Sequence, residues 1–174
     1  MHDTLPSRRR FVATCASLCG TGLTLALGPD AEAHGDRTHA TAGPVRQEQK
    51  PWGIAATPGM ARRTLTVSMG DDMRFRPDRL EVREGEAVRL VIRNTGRVMH
   101  EFVLGTPEEL ASHAELMKRF PDMAHDEPYM AHVPPGRSDT IFWHFNRAGD
   151  FQFACLIAGH FQSGMVGTLT VTRT

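Results

Sequence analysis

Three side chains that bind soft metal ions lie close together near the end of the 174-residue chain: Cys155, His160 and Met165. They offer a thiolate, an imidazole and a thioether within one short stretch. Gly159 and Gly164 allow this stretch to turn sharply. A cysteine and two histidines with a weak methionine ligand form a donor set that proteins use for mononuclear copper. The spacing therefore predicts a copper site on this segment.

A second histidine must come from elsewhere, because one loop cannot surround a metal ion. His100 is the candidate, since it follows the predicted turn at residues 94–96 on an apolar strand that a β-sandwich can place beside the last two strands. The predicted ligands are thus His100, Cys155, His160 and Met165. The alternative is that these are unrelated residues at a core edge, because a single cysteine is more often a buried apolar residue than a ligand.

The residues around these ligands alternate between apolar and polar side chains, which is typical of β-strands. Strands are predicted around 65–69, 80–82, 88–92, 99–104, 140–145, 151–155 and 166–172. Residues 107–120 instead have apolar side chains at helical spacing, after Pro107 and two glutamates. We expect an all-β fold, a Greek-key β-sandwich of about seven or eight strands with a short helical insert.

The N-terminal segment has the three parts of an export signal. Arginines at 8–10 precede an apolar stretch at 12–27, and Ala31-Glu32-Ala33 suits signal peptidase. The paired arginines before Phe11 favour the Tat route, with an ordinary Sec signal as the alternative. These features predict export to the periplasm.

The predicted organisation is a signal peptide over 1–33, a flexible lead-in with histidines over 34–62, and one domain over 63–174. Cleavage after Ala33 would leave Cys155 as the only cysteine. A lone thiol in an oxidising compartment is open to oxidation unless a metal occupies it. The formal net charge of zero argues against nucleic acid as a partner. We expect a monomer whose partners are copper ions and a periplasmic redox protein.

The order of these motifs resembles the cupredoxins over residues 75–172. The matching residues are Phe75-x-Pro77, Leu80-x-Val82, Gly85-Glu86, Asn94-x-Gly96, His100, Pro135-Gly136, Gly149-x-Phe151, Cys155, His160 and Met165-x-Gly167. The chain is also similar to the periplasmic copper-tolerance cupredoxins of the CopI type, through 51–54, 99–102 and 120–132. This resemblance implies a type 1 copper site that cycles between Cu(I) and Cu(II).

Two related classes of copper site do not fit the residues present. A dinuclear centre of the cytochrome oxidase type needs a second cysteine on the loop, where Gly159 stands. Multicopper oxidases flank the cysteine with histidines, whereas here the flanking residues are Ala154 and Leu156. We therefore expect no enzyme, while oxidation of cuprous ions as part of copper tolerance stays open.

The insert and the lead-in contain further soft or borderline ligands. These are His113, Met117, Met123, His125, Met130, His132 and, at the expected new N-terminus, His34. They could form a second site for copper, since thioethers and imidazoles suit Cu(I). Alternatively, the methionines fill the core and the histidines lie on the surface or in a tail.

Two functions are compatible with the predicted site. The first is copper tolerance, which the extra ligands favour because a pure electron carrier does not need them. The second is a dedicated electron shuttle of the azurin and plastocyanin kind. Ile157, Phe161 and Met165 could supply the apolar docking surface of such a shuttle.

Overall fold

In the part of the chain that the structure describes, the fold consists of two packed β-sheets and one α-helix. The computed structural model describes residues 47–121 and 126–173. The strands are β1 Ile54–Ala55, β2 Arg63–Gly70, β3 Arg74–Arg76, β4 Arg79–Arg83, β5 Glu86–Asn94, β6 His100–Gly105, β7 Met130–Val133, β8 Ser138–Phe145, β9 Gly149–Ala154 and β10 Val166–Thr172. The α-helix α1 spans Pro107–Arg119, and a short 3-10 helix spans Pro58–Met60.

Each sheet has five strands, in the orders β1-β8-β5-β2-β3 and β4-β10-β9-β6-β7. The pairs β2/β5 and β4/β10 are parallel, and the remaining pairs are antiparallel. Alternate side chains of both sheets meet in one core, in which the rings of Phe102 and Phe153 stack with centroids 5.0 Å apart. This confirms the predicted all-β sandwich with a short helical insert.

Helix α1 begins where the sequence predicts. The Thr106 side chain accepts a hydrogen bond from the Glu109 backbone, and the Glu109 side chain accepts one from the Thr106 backbone, which completes a capping box. Leu110, Ala114 and Met117 form the buried face, which packs on β6 and β9. The helix therefore covers the outer face of the sheet that contains the predicted copper ligands.

The folded domain starts earlier than the predicted boundary at residue 63. Trp52 is buried in the core, its carbonyl oxygen accepts a 3.0 Å hydrogen bond from Trp143 Nε1, and β1 pairs with β8. The expectation of a flexible lead-in is therefore wrong for the part around Trp52 and β1. Its apolar residues are too few to show a period, and they gain their stability from contacts with distant strands.

Two further short strands differ from the sequence prediction. Arg74–Arg76 forms β3 and Met130–Val133 forms β7 at a sheet edge, and the sequence analysis predicts no strand at either place. Positions 1–46, which include the predicted signal peptide, lie outside the described residues. Among the residues that the structure describes, no helix is long and apolar enough to cross a membrane.

Candidate metal centre

The predicted ligands meet at one end of the sandwich. Cys155 directly follows β9, Met165 directly precedes β10, and His160 lies in the turn between them. His100 begins β6, which pairs with β9. Gly159 and Gly164 have positive φ angles of 91° and 83°, a backbone region that favours glycine. The loop can therefore bend back and bring His160 towards Cys155.

The side chains of His100, Cys155 and His160 form a compact cluster. One potential ligand atom from each lies within 4.8 Å of those from the other two. Cys155 Sγ is 3.3 Å from His160 Nδ1, and the two imidazole rings have centroids 5.0 Å apart. One soft thiolate and two imidazoles at this separation can hold a single copper ion.

The chemistry of His100 also fits a bound metal. The residue is fully buried, and neither ring nitrogen has a hydrogen-bond partner among the described residues. The nearest acid is Asp71, whose Oδ1 is 3.8 Å from His100 Nε2, which is too far for a hydrogen bond. Buried polar atoms without partners are rare in native proteins. A metal ion would satisfy one of these nitrogens.

The buried thiol of Cys155 would have to lose its proton to bind a metal. Burial is the main cause that raises the pKa of its thiol to about 12, so the group would stay protonated at neutral pH without a partner. Metal binding takes the proton away, because the ligand form is the thiolate.

The lowered pKa values of both histidines favour the neutral form of the imidazole, which is the form that binds a metal. Burial lowers the pKa of His100, against the opposing effect of Asp71, and it also lowers the pKa of His160, to which the nearby His100 adds. An imidazole with a lowered pKa keeps a free lone pair at neutral pH and can donate it to a metal.

Backbone hydrogen bonds hold the ligand loop together. Cys155 N donates to Met165 O and Met165 N donates to His160 O, each at 3.1 Å. Glu101 N donates to Cys155 Sγ at 3.3 Å, which links the loop to β6. Met165 is fully buried between these bonds.

The turn before His100 is held from two sides. The buried Asn94 amide donates to Val98 O at 2.7 Å and to Val133 O at 2.8 Å, and its Oδ1 accepts from Gly96 N at 2.9 Å. The Asp71 carboxylate accepts hydrogen bonds from the backbone N–H groups of Arg97 and Val98. These bonds fix where β6 begins and therefore where the His100 ring lies.

Among the described residues, the one group of His, Cys, Asp and Glu side chains that could hold a metal ion contains none of the predicted secondary ligands. Met117 and Met130 are buried in an apolar cluster under helix α1, which favours the packing alternative for both. His132 Nε2 lies 2.8 Å from Glu101 Oε1, and His113 is half-buried on the helix. The remaining candidates, His34, Met123 and His125, lie outside the described residues.

The sequence reasoning gave no role to Asp71 or Glu101. It also did not predict that the Asn94 amide is buried and forms hydrogen bonds. The signal for Glu101 is a charged residue inside an otherwise apolar strand, which is unusual unless the charge has a partner. Asp71 gives no such signal, since it lies in a polar turn.

Comparison with known proteins agrees with this geometry. The family described as copper binding proteins, plastocyanin/azurin family, matches residues 61–172. A protein of Rubrivivax gelatinosus named copper-resistant cuproprotein CopI is 45% identical over 157 residues, covering 90% of this chain and 94% of that protein. A protein of the same name from Pseudomonas aeruginosa is 37% identical over 152 residues, covering 69% of this chain and 82% of that one.

Solved structures with a similar fold include two auracyanins. Auracyanin B has a TM-score of 0.59 at 24% identity, covering 72% of this chain and 99% of that one. Reduced auracyanin from Roseiflexus castenholzii has a TM-score of 0.56 at 20% identity, covering 64% and 98%. At these identities the similarity is one of fold.

Proposed function

This chain belongs to the plastocyanin/azurin family of copper-binding proteins, and on that premise we propose that it holds one copper ion through His100, Cys155, His160 and Met165. The observation that carries the proposal is the compact cluster of one thiol and two imidazoles, in which the buried His100 nitrogens have no other partner among the described residues. Met165 enters as the fourth ligand because its backbone is tied to both Cys155 and His160.

The protein supplies ligands that already lie close together and that, except for His160, are shielded from water. Copper, when bound, supplies a one-electron Cu(II)/Cu(I) couple. His100, Cys155 and Met165 are fully buried and exclude water, whereas His160 is partly exposed. In this proposal, His160 is the ligand through which an electron enters or leaves. The protein then acts by binding copper and exchanging electrons, as a monomer, rather than as an enzyme.

The biological role that we propose is copper tolerance in the periplasm after export. The support is that two relatives named copper-resistant cuproproteins match most of their own length to this chain. The test is a deletion strain complemented with the native gene or with Cys155→Ser, grown at increasing copper, with the protein followed in periplasmic and cytoplasmic fractions. Full tolerance with Cys155→Ser, or a cytoplasmic protein, contradicts the proposal.

A dedicated electron shuttle is the second candidate, and one observation favours it. Val98 and Met99, directly before His100, are each 43% exposed, so apolar side chains lie on the surface next to the ligand strand. Partner proteins can dock on such a surface. A shuttle predicts that the deletion strain loses respiratory electron flow at low copper, whereas the tolerance role predicts a defect only when copper is added.

A further inference from the structure

A buried acid–base pair lies beside the copper ligands and has no role in the site as described so far. Glu101 is only 2% exposed, and its Oε1 is 2.8 Å from His132 Nε2. The two residues are directly opposite each other on the antiparallel strands β6 and β7. Burying a carboxylate is unfavourable unless it is paired. A glutamate retained here therefore invites a functional explanation.

The pair is coupled to the copper ligands through the backbone. Glu101 follows His100 directly, and its N–H donates to Cys155 Sγ at 3.3 Å. Val103 and Met130 form the next opposed pair along β6 and β7 on the same face, and both belong to the cluster under helix α1. The cross-strand bond to His132 thus fixes a residue whose own backbone touches the copper thiolate.

The charge of Glu101 also reaches the ligands. Burial is the main cause of the raised pKa of Cys155; the hydrogen bond from the Glu101 backbone N–H lowers this pKa, whereas the Glu101 carboxylate raises it. The same carboxylate opposes the lowering of the His160 pKa by burial and by His100. His132 is 34% exposed, so solvent screens its charge more than that of Glu101. The Glu101 carboxylate therefore contributes a negative potential at Cys155 and at His160.

We propose that Glu101, held in place by His132, is a positioning residue that shifts the copper centre towards Cu(II). A negative charge near the metal stabilises Cu(II) more than Cu(I), because Cu(II) carries the larger positive charge. This inference rests on the copper site proposed above. It adds that His132 on β7, the strand that follows the helical insert, influences how readily the bound ion is reduced.

The test compares reduction potentials and visible spectra of the copper-loaded native protein and its variants. Glu101→Gln keeps the size and a hydrogen-bonding group but removes the charge. We expect at least a tenfold shift towards Cu(I) binding, which is a rise of about 59 mV for one electron. Glu81→Gln, at an exposed position of β4, is the matched control and should shift the ratio less than about twofold, because exposed charges are screened.

If Glu101 had only a structural role, replacing it would change the stability of the protein but would not shift the reduction potential in this way. Glu101→Asp keeps the charge and should recover at least half of the shift, so a potential as high as that of Glu101→Gln would overturn the proposal. A Glu101→Gln potential equal to that of the Glu81→Gln control would also overturn it. If Glu101→Gln does not fold, His132→Gln takes its place: it leaves the carboxylate without its cation and should lower the potential, so an unchanged or raised value overturns the idea.

The outcomes separate this inference from the proposed function. A native protein that takes up no copper refutes both. A protein that shows the expected shifts but gives no tolerance to cells refutes the proposed role and supports the inference.

Discussion

Replacing Asn94 with alanine should destabilise the domain and displace His100, because this amide joins three backbone segments next to the ligand strand. Its Nδ2 donates to Val98 O and Val133 O, and its Oδ1 accepts from Gly96 N. The turn before His100 and the end of β7 are therefore held by one side chain.

The magnitude follows from the bonds that are lost. Each hydrogen bond contributes a net of about 1 kcal/mol, and a buried carbonyl left without a partner is unfavourable. Three bonds then give a loss of about 3 kcal/mol in the free energy of unfolding. The matched control is Asn146→Ala, which removes hydrogen bonds to Gln49 that lie in an exposed environment, and it should lose less than about 1 kcal/mol.

The assay is urea unfolding of the copper-free proteins, followed by copper uptake of the folded variants. Asn94→Ala should unfold at a clearly lower urea concentration and bind copper more weakly, since the His100 ring is no longer fixed. Equal losses in the two alanine variants would refute the view that Asn94 anchors the ligand strand.

The remaining predictions concern the axial ligand, the insert and the cross-strand histidine. Met165→Leu should keep the copper and raise the reduction potential by removing a weak donor that favours Cu(II); voltammetry showing an unchanged or lower value would argue against a bound thioether. Joint replacement of Met117, Met123 and Met130 with Leu should cost less than about 1.5 kcal/mol per site and leave copper stoichiometry unchanged, because at least Met117 and Met130 are packing residues. Loss of a second Cu(I) equivalent would instead restore the second-site hypothesis. The hydrogen bond to a buried carboxylate raises the pKa of His132 above its usual 6.5, so its contribution to stability is complete below the unfolded-state pKa and is lost as pH rises through the folded-state pKa. Urea midpoints of copper-free protein should show this decline, and His132→Gln should remove it; an identical pH profile in that variant would contradict the assignment.

Three of the four proposed ligands could be predicted from sequence because their signal is local. Cys155, His160 and Met165 lie on one loop with glycines at the two positive-φ positions, and the strand alternation is strong on both sides. The helix was equally readable, since the capping residues and the apolar spacing agree.

The parts that sequence reasoning missed depend on distant contacts. Trp52 lies in a short apolar stretch between polar segments, and its burial depends on β8, which passes beside it. The pair of Glu101 and His132 requires knowing that residues 130–133 form an edge strand opposite β6. A single sequence shows no period over such short segments, so neither could be read from pattern alone.

Copper titration of the protein, followed by optical and EPR spectra, tests the central claim most directly. The account predicts one tightly bound Cu(II) with an intense thiolate-to-copper charge-transfer band that Cys155→Ser abolishes, because a hydroxyl is neither soft nor ionised near neutral pH. Copper binding without that band, or an intact band in the serine variant, would contradict it.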